Sequence, residues 1–228
     1  MTTRRFIAWS LERFRRHRLV LTTSFGLEGC ALIDMYAAHG GPVTVLYIDT
    51  GFFFPETYEL RDRMVARYPH VRFVDRGTTL TPAGQAAVYG PALWRRDPDR
   101  CCRLRKVDPL RAALADVDVW VSAVTRYQSP ARAALEPVEW DWGFQVLKLH
   151  PLLDWDRSLV WRYVLERDVP HNPLHARGYP SLGCTHCTVP AGIWGAAYSR
   201  AGRWNGSEKI ECGIHVRQPA LVGGSDVR

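Results

Sequence analysis

Leu19-Val-Leu-Thr-Thr-Ser-Phe-Gly-Leu-Glu-Gly29, followed by a helix-spaced stretch and then Val43-Thr-Val-Leu-Tyr-Ile-Asp-Thr-Gly51, decides the fold. Residues 19–24 are a short apolar run rich in β-formers. Over residues 28–38, Leu32, Ile33 and Tyr36 recur at helical spacing. Residues 43–48 are an apolar run interrupted only by Thr44, as expected of a strand buried on both faces. Strand, helix, strand in so few residues is a parallel crossover unit.

The alternation continues outward. Residues 55–68 open with Pro55-Glu56 and read as a helix with proline at its first position. Strands are expected at 71–74, 117–124 and 145–149, and helices at 102–114, despite Pro109, and at 156–167. Near the N-terminus Phe6, Trp9, Arg13 and Arg16 fall on helical spacing, which predicts a docked helix rather than a transit peptide. From about residue 170 the chain is rich in Gly, Pro and Trp and loses periodicity. The expected fold is α/β: a mostly parallel twisted sheet flanked by helices, with an irregular C-terminal segment closing over the site. The expected division is one α/β domain over residues 1–198 and a mobile tail over 199–228.

The chain has 228 residues, 46% of them apolar, enough for one domain with a proper core. Its charged fraction of 23% with 11% aromatics excludes a disordered chain. No run of about 18 apolar residues suits a membrane span. The formal charge is +7, and with only Lys106, Lys148 and Lys209 as lysines the basic side is carried by arginine. Guanidinium offers oxyanions a planar fork, so an anionic partner is expected. The six cysteines come without a signal peptide, which points to a cytoplasmic protein rather than a disulfide framework.

In parallel sheets ligands bind where the strands' carboxyl ends open into loops. Three segments stand there. Ser24-Phe25-Gly26 joins a strand to a helix and lets backbone N–H groups approach an anion. Asp49-Thr50-Gly51 suits a ribose or phosphate, or is a capping turn. Thr125-Arg126-Tyr127-Gln128-Ser129 with Arg132 suits a charged ester. Cys101-Cys102 and Cys184-Thr-His-Cys187 are two thiol pairs that the fold must bring together to hold zinc or an iron–sulfur cube; buried or redox thiols are the alternative. Lys106, four residues beyond Cys102 on a helix, shares its face. Cys212 stands in a Gly-flanked polar segment where His215 and nearby arginines are expected to supply the positive surroundings that a nucleophilic thiol needs. Arg200-Ala-Gly-Arg203-Trp204 adds two arginines and an aromatic. Cys30, in an apolar helical stretch, reads as core.

Taken in order, these segments resemble the assimilatory sulfonucleotide reductases, and most closely the iron–sulfur adenylyl-sulfate (APS) reductases. The resemblance spans Ser24-Phe-Gly26, Ile48-Asp-Thr-Gly51 with Phe54-Pro-Glu-Thr57, Cys101-Cys102-Arg-Leu-Arg-Lys-Val-Asp-Pro-Leu110, and Arg126-Tyr-Gln-Ser129. It continues through Tyr179-Pro-Ser-Leu-Gly-Cys-Thr-His-Cys-Thr188, Arg200-Ala-Gly-Arg-Trp204 and Glu211-Cys-Gly-Ile-His215. It implies an adenine-nucleotide α-hydrolase-like fold. It implies a [4Fe–4S] cluster on Cys101, Cys102, Cys184 and Cys187, with Lys106 linking cluster and substrate. It implies Cys212 as nucleophile, an S-sulfocysteine intermediate, AMP as first product, and sulfite release by thioredoxin or a glutaredoxin-like dithiol.

Two departures stand out: Gly29 where the family carries Asp, and Thr125 where it carries Arg. They leave room for a reductase of the 3′-phosphorylated nucleotide PAPS, or of both nucleotides. A third reading is a non-catalytic nucleotide-binding or zinc- or cluster-containing regulatory protein. Neither nucleic acid nor membrane is an expected partner.

Overall fold

The computed structural model describes residues 1–192, 200–204 and 207–215. Of the expected tail, residues 199, 205, 206 and 216–228 lie outside the described residues. Six strands form one sheet: β1 (Leu19–Thr23), β2 (Val43–Tyr47), β3 (Val71–Asp75), β4 (Val119–Ser122), β5 (Val138–Asp141) and β6 (Val146–Leu149). Their order is β3-β2-β1-β4-β6-β5, all parallel except β5, which pairs antiparallel with β6. The chain winds from β1 outward through β2 to β3 and then returns to the other side of β1 with β4. That reversal opens a crevice at the carboxyl ends of β1 and β4.

The helices are α1 (Thr3–Arg13), α2 (Leu27–Ala37), α3 (Pro55–Arg67), α4 (Pro82–Tyr89), α5 (Leu93–Arg96), α6 (Pro98–Cys102), α7 (Asp108–Leu114) and α8 (Arg157–Glu166). On one face of the sheet α1, α2, α3 and α8 bury Phe6, Ile7, Leu32, Ile33, Leu60, Met64, Val160 and Val164 against Leu21, Val45 and Val121. On the other face Leu110 and Leu114 of α7 pack on Val20, Leu46, Trp120 and Val146. Every strand expected from the apolar runs is present. β5 is an addition, and its alternation explains why the apolar pattern misses it. Val138 and Trp140 face solvent, whereas Glu139 and Asp141 turn inward onto His150 and Lys148. A strand with its acids inside and its apolar residues outside defeats a reading based on apolar runs.

The expected helix across Pro109 resolves into three parts. A π turn, Arg103–Val107, separates α6 from α7. Pro109 lacks an N–H and cannot continue a regular α-helix, so the chain widens by one turn and restarts with proline in the first turn of α7. The widened turn directs Arg105 and Lys106 inward.

Candidate active site

The anion loop is built by a sharp turn after β1. Phe25 takes a left-handed backbone, φ 57°, a conformation that costs an L-residue about 1–2 kcal/mol. Its ring is buried 5.3 Å from Tyr47, and its N–H donates to Thr23 Oγ1 at 2.9 Å. Gly26 then caps α2, whose first turn opens onto the crevice. Gly29 has a local cause as well: a Cβ there would stand 2.5 Å from Thr23 Oγ1, so Thr23 and Gly29 are a matched pair. Thr125 likewise serves its own turn, in a capping box with Gln128 whose Oε1 accepts from the Thr125 N–H.

The crevice is lined by Ser24 and Gly26 from this loop, Thr50 after β2, Ser122 at the end of β4, Gln128 and Arg132 beyond it, Lys106, and the tail residues Arg200, Arg203, Cys212 and His215. Ten of the sequence-derived site residues thus share one space. Others support it from behind. Asp49 accepts from the Gly51 N–H at 2.7 Å and from Tyr58 at 3.0 Å, so it closes its own turn. Arg126 pairs with Asp154 and donates to the carbonyls of Ala133 and Leu135. Ser129 donates to Glu211 at 2.7 Å. Trp204 is buried beneath Arg200, Arg203 and Lys209, with cation–ring distances of 5.2, 4.8 and 5.6 Å.

Cys101, Cys102, Cys184 and Cys187 stand around one small apolar space, walled by Phe52, Trp94 and His186. The Cys184 loop is tied to the Thr50 turn by the Thr185 N–H to Phe52 carbonyl bond at 2.8 Å and a Cys184 Sγ to Thr50 Oγ1 contact at 3.4 Å. Gly183 makes room for this loop, since a Cβ there would meet Arg203 Nη2 at 2.1 Å. Burial, reinforced by the neighbouring thiols, pushes Cys101 and Cys187 up to about 11, and burial pushes Cys102 up as well. Thiols raised in this way do not ionise together without a cation between them. Arg105 is almost wholly buried beside them, donates to Gln85 at 2.6 Å and to the Thr50 carbonyl at 2.7 Å, and leaves Nη2 without a partner.

The donor set and its apolar walls therefore fit an iron–sulfur cluster held by four thiolates. Among the described residues no group of three or more His, Cys, Asp or Glu side chains is placed to hold a metal ion. Lys106 lines both this space and the crevice.

Cys212 sits where the tail crosses the crevice. Burial would push its thiol up, but Lys106, Arg200, the Ile214 N–H and Arg132 together outweigh it and hold Cys212 below the ordinary thiol range. The expectation that His215 supplies positive charge is not met. Burial, with Lys148, Arg132, His150 and Arg200 nearby, holds its imidazole far below the usual range, so it is neutral. It stacks on Trp120 at 5.5 Å, with Nδ1 unpartnered. Arg200 Nε and Arg203 Nε are also buried without hydrogen-bond partners, and Arg200 Nη2 reaches Glu211 Oε2 only at 3.5 Å, donors that suit an oxyanion in the crevice.

Sequence reasoning missed Glu211, which anchors the tail on Arg132, and Gln85, which orients Arg105. Glu211 stands next to a singled-out cysteine and was open to notice. Gln85 lies in an Ala-rich helix with nothing to mark it.

A doubly wound sheet whose switch point holds a helix N-terminus, four cationic side chains and a thiol held below its ordinary range defines an α/β protein with an anion-binding cleft built around a cysteine. The chain belongs to the phosphoadenosine phosphosulfate reductase domain family, which matches residues 18–190. It is 42% identical over 209 residues to an adenosine 5′-phosphosulfate reductase of Lysinibacillus sphaericus, covering 92% of this chain and 88% of that one. It is also 42% identical over 201 residues to a phosphoadenosine 5′-phosphosulfate reductase of Gloeobacter violaceus, covering 87% and 83%. Among solved structures it is similar to the phosphoadenylyl-sulfate reductase of Candida auris, with a TM-score of 0.72 at 30% identity over 83% of this chain and 91% of that one.

Proposed function

We propose that this chain is a thiol-dependent sulfonucleotide reductase that converts adenylyl sulfate to sulfite and AMP in sulfate assimilation. The observation that carries this reading is Cys212, held below its ordinary range by Lys106 and Arg200 inside a cleft with unpartnered guanidinium donors. In the first step Cys212 Sγ attacks the sulfur of adenylyl sulfate. An S–S bond forms, the S–O bond to the phosphate breaks, and the electron pair leaves on AMP, a good leaving group. Lys106, Arg200 and Arg203 stabilise the anionic ends of this transfer.

In the second step a thiolate of a thioredoxin or glutaredoxin-like dithiol attacks Cys212 Sγ and expels sulfite. Its second thiol then resolves the mixed disulfide, so the dithiol supplies both electrons. A [4Fe–4S] cluster on Cys101, Cys102, Cys184 and Cys187 would supply a fixed charge and order the site. Lys106, facing both spaces, couples that charge to the cleft. Among the described residues no helix is long and apolar enough to cross a membrane, in keeping with a cytoplasmic enzyme.

The relative from Gloeobacter violaceus favours a second reading, in which the 3′-phosphorylated nucleotide is also accepted. Sulfite formation with each nucleotide at equal concentration, with a thioredoxin as reductant, separates the two. Faster turnover of adenylyl sulfate is expected. Turnover of the phosphorylated nucleotide alone would overturn the assignment, and turnover of neither would leave a binding protein.

A further inference from the structure

The cleft holds one hydrogen-bonded chain that this chemistry does not use. Ser122, the last residue of β4, lines the cleft at the switch point, in register with Thr22 of β1. Its Oγ lies 3.3 Å from His150 Nδ1, and His150 Nε2 lies 3.2 Å from Glu139 Oε1. The His150 side chain is wholly buried, just past β6. Glu139 is pinned on β5 by the antiparallel register with β6 and by the neighbouring Asp141–Lys148 pair at 2.8 Å. Three residues thus line up across the sheet from its edge to the cleft.

The direction of these bonds is fixed by chemistry. A carboxylate only accepts, so the proton between Glu139 and His150 sits on Nε2. Burial, aided by Lys148 and Arg132 against the opposing pull of Glu139, holds His150 below its ordinary range, so the ring carries that one proton only. Nδ1 is then a bare lone pair and must accept from the Ser122 hydroxyl. That bond uses the one proton Ser122 has, and only its lone pairs remain for the cleft.

We propose that Glu139, acting through His150, fixes Ser122 as an obligate hydrogen-bond acceptor in the cleft, a specificity device that selects a ligand presenting an uncharged donor there and disfavours a phosphoryl oxygen. This rests on the nucleotide reading above. In an adenine nucleotide the donor is a ribose hydroxyl or the 6-amino group. Ser122 is the residue that touches the ligand; His150 and Glu139 are positioning residues.

The test titrates AMP, 2′-deoxy-AMP, 3′-deoxy-AMP and N6,N6-dimethyl-AMP into the anaerobically purified full chain, its Ser122→Ala variant and its His150→Phe variant. The wild type should bind one analogue roughly tenfold more weakly than AMP, the size of one lost hydrogen bond. Ser122→Ala should bind AMP and that analogue equally, and His150→Phe should narrow the gap. In 15N spectra of the wild type, His150 should carry its proton on Nε2.

AMP binding with no analogue-specific loss at Ser122, or a proton on Nδ1 of His150, would overturn the inference while leaving the nucleotide reading intact. No AMP binding at all would overturn the nucleotide reading, and the ligand class with it.

Discussion

Arg132 and Glu211 form a buried two-point ion pair, with Arg132 Nε 2.9 Å from Glu211 Oε1 and Nη2 3.0 Å from Oε2. The pair ties the residue before Cys212 to the turn after β4. Burial would raise the Glu211 carboxyl, but Arg132 and Arg200 more than offset it and hold it below the ordinary range. A depressed carboxyl contributes stability above its unfolded pKa, about 4.3, and loses it as pH falls through the lower folded value. The tie is therefore complete at neutral pH. Glu211→Gln strands a buried guanidinium, at a local cost of about 3–5 kcal/mol. Hydrogen exchange should quicken across residues 207–215; unchanged protection there would contradict the tie.

Lys106 has the largest effect of the cations holding down Cys212. Alkylation of Cys212 should therefore persist to lower pH than for an ordinary thiol, because the rate follows the thiolate fraction. Lys106→Ala should move that inflection upward and slow sulfite formation on the order of 10²-fold. An inflection that stays put would return Lys106 to a bystander.

Cys184→Ala should lose iron and sulfide and fade in colour, since three thiolates remain around the apolar space. Its AMP binding should be retained to within a few-fold, because Cys184 does not line the cleft. Normal iron content in this variant would sink the cluster assignment.

The legibility of this molecule in its sequence follows from physics particular to each part. β1, β2 and β4 are legible because strands covered on both faces are mostly apolar and β-branched, with only Thr22, Thr23, Thr44 and Ser122 interrupting them. β5 is illegible because Glu139 and Asp141 find buried cationic or imidazole partners, which no local pattern encodes. The four cysteines around the apolar space, Lys106 and Cys212 are legible as residue types with chemistry of their own. The direction of Arg126 is not, because only the fold places Asp154 and two carbonyls in its reach. His215 reads as a cation from its type and is neutral in place, since burial is a property of the folded chain.

The helical face depends on Asp34, which accepts from Tyr68 at 2.9 Å, Tyr163 at 2.5 Å and Arg167 at 3.0 Å. These bonds join α2, α3 and the end of α8. Asp34→Ala leaves buried hydroxyls unpaired and should cost about 2–4 kcal/mol. At roughly 2–4 °C per kcal/mol, calorimetry should show a clear fall in Tm. AMP affinity should hold at temperatures where the variant is folded. An unchanged Tm would mean that packing alone holds the three helices.

On the proposed reaction the sulfonate group passes through Cys212. Mixing the protein with 35S-labelled adenylyl sulfate in the absence of any dithiol, then digesting it and locating the label by mass spectrometry, tests this in one turnover. One equivalent of AMP should be released and the label should lie on the Cys212 peptide as an S-sulfocysteine, discharged as sulfite when thioredoxin is added. Label on another residue, or sulfite released without any protein-bound label, would contradict it.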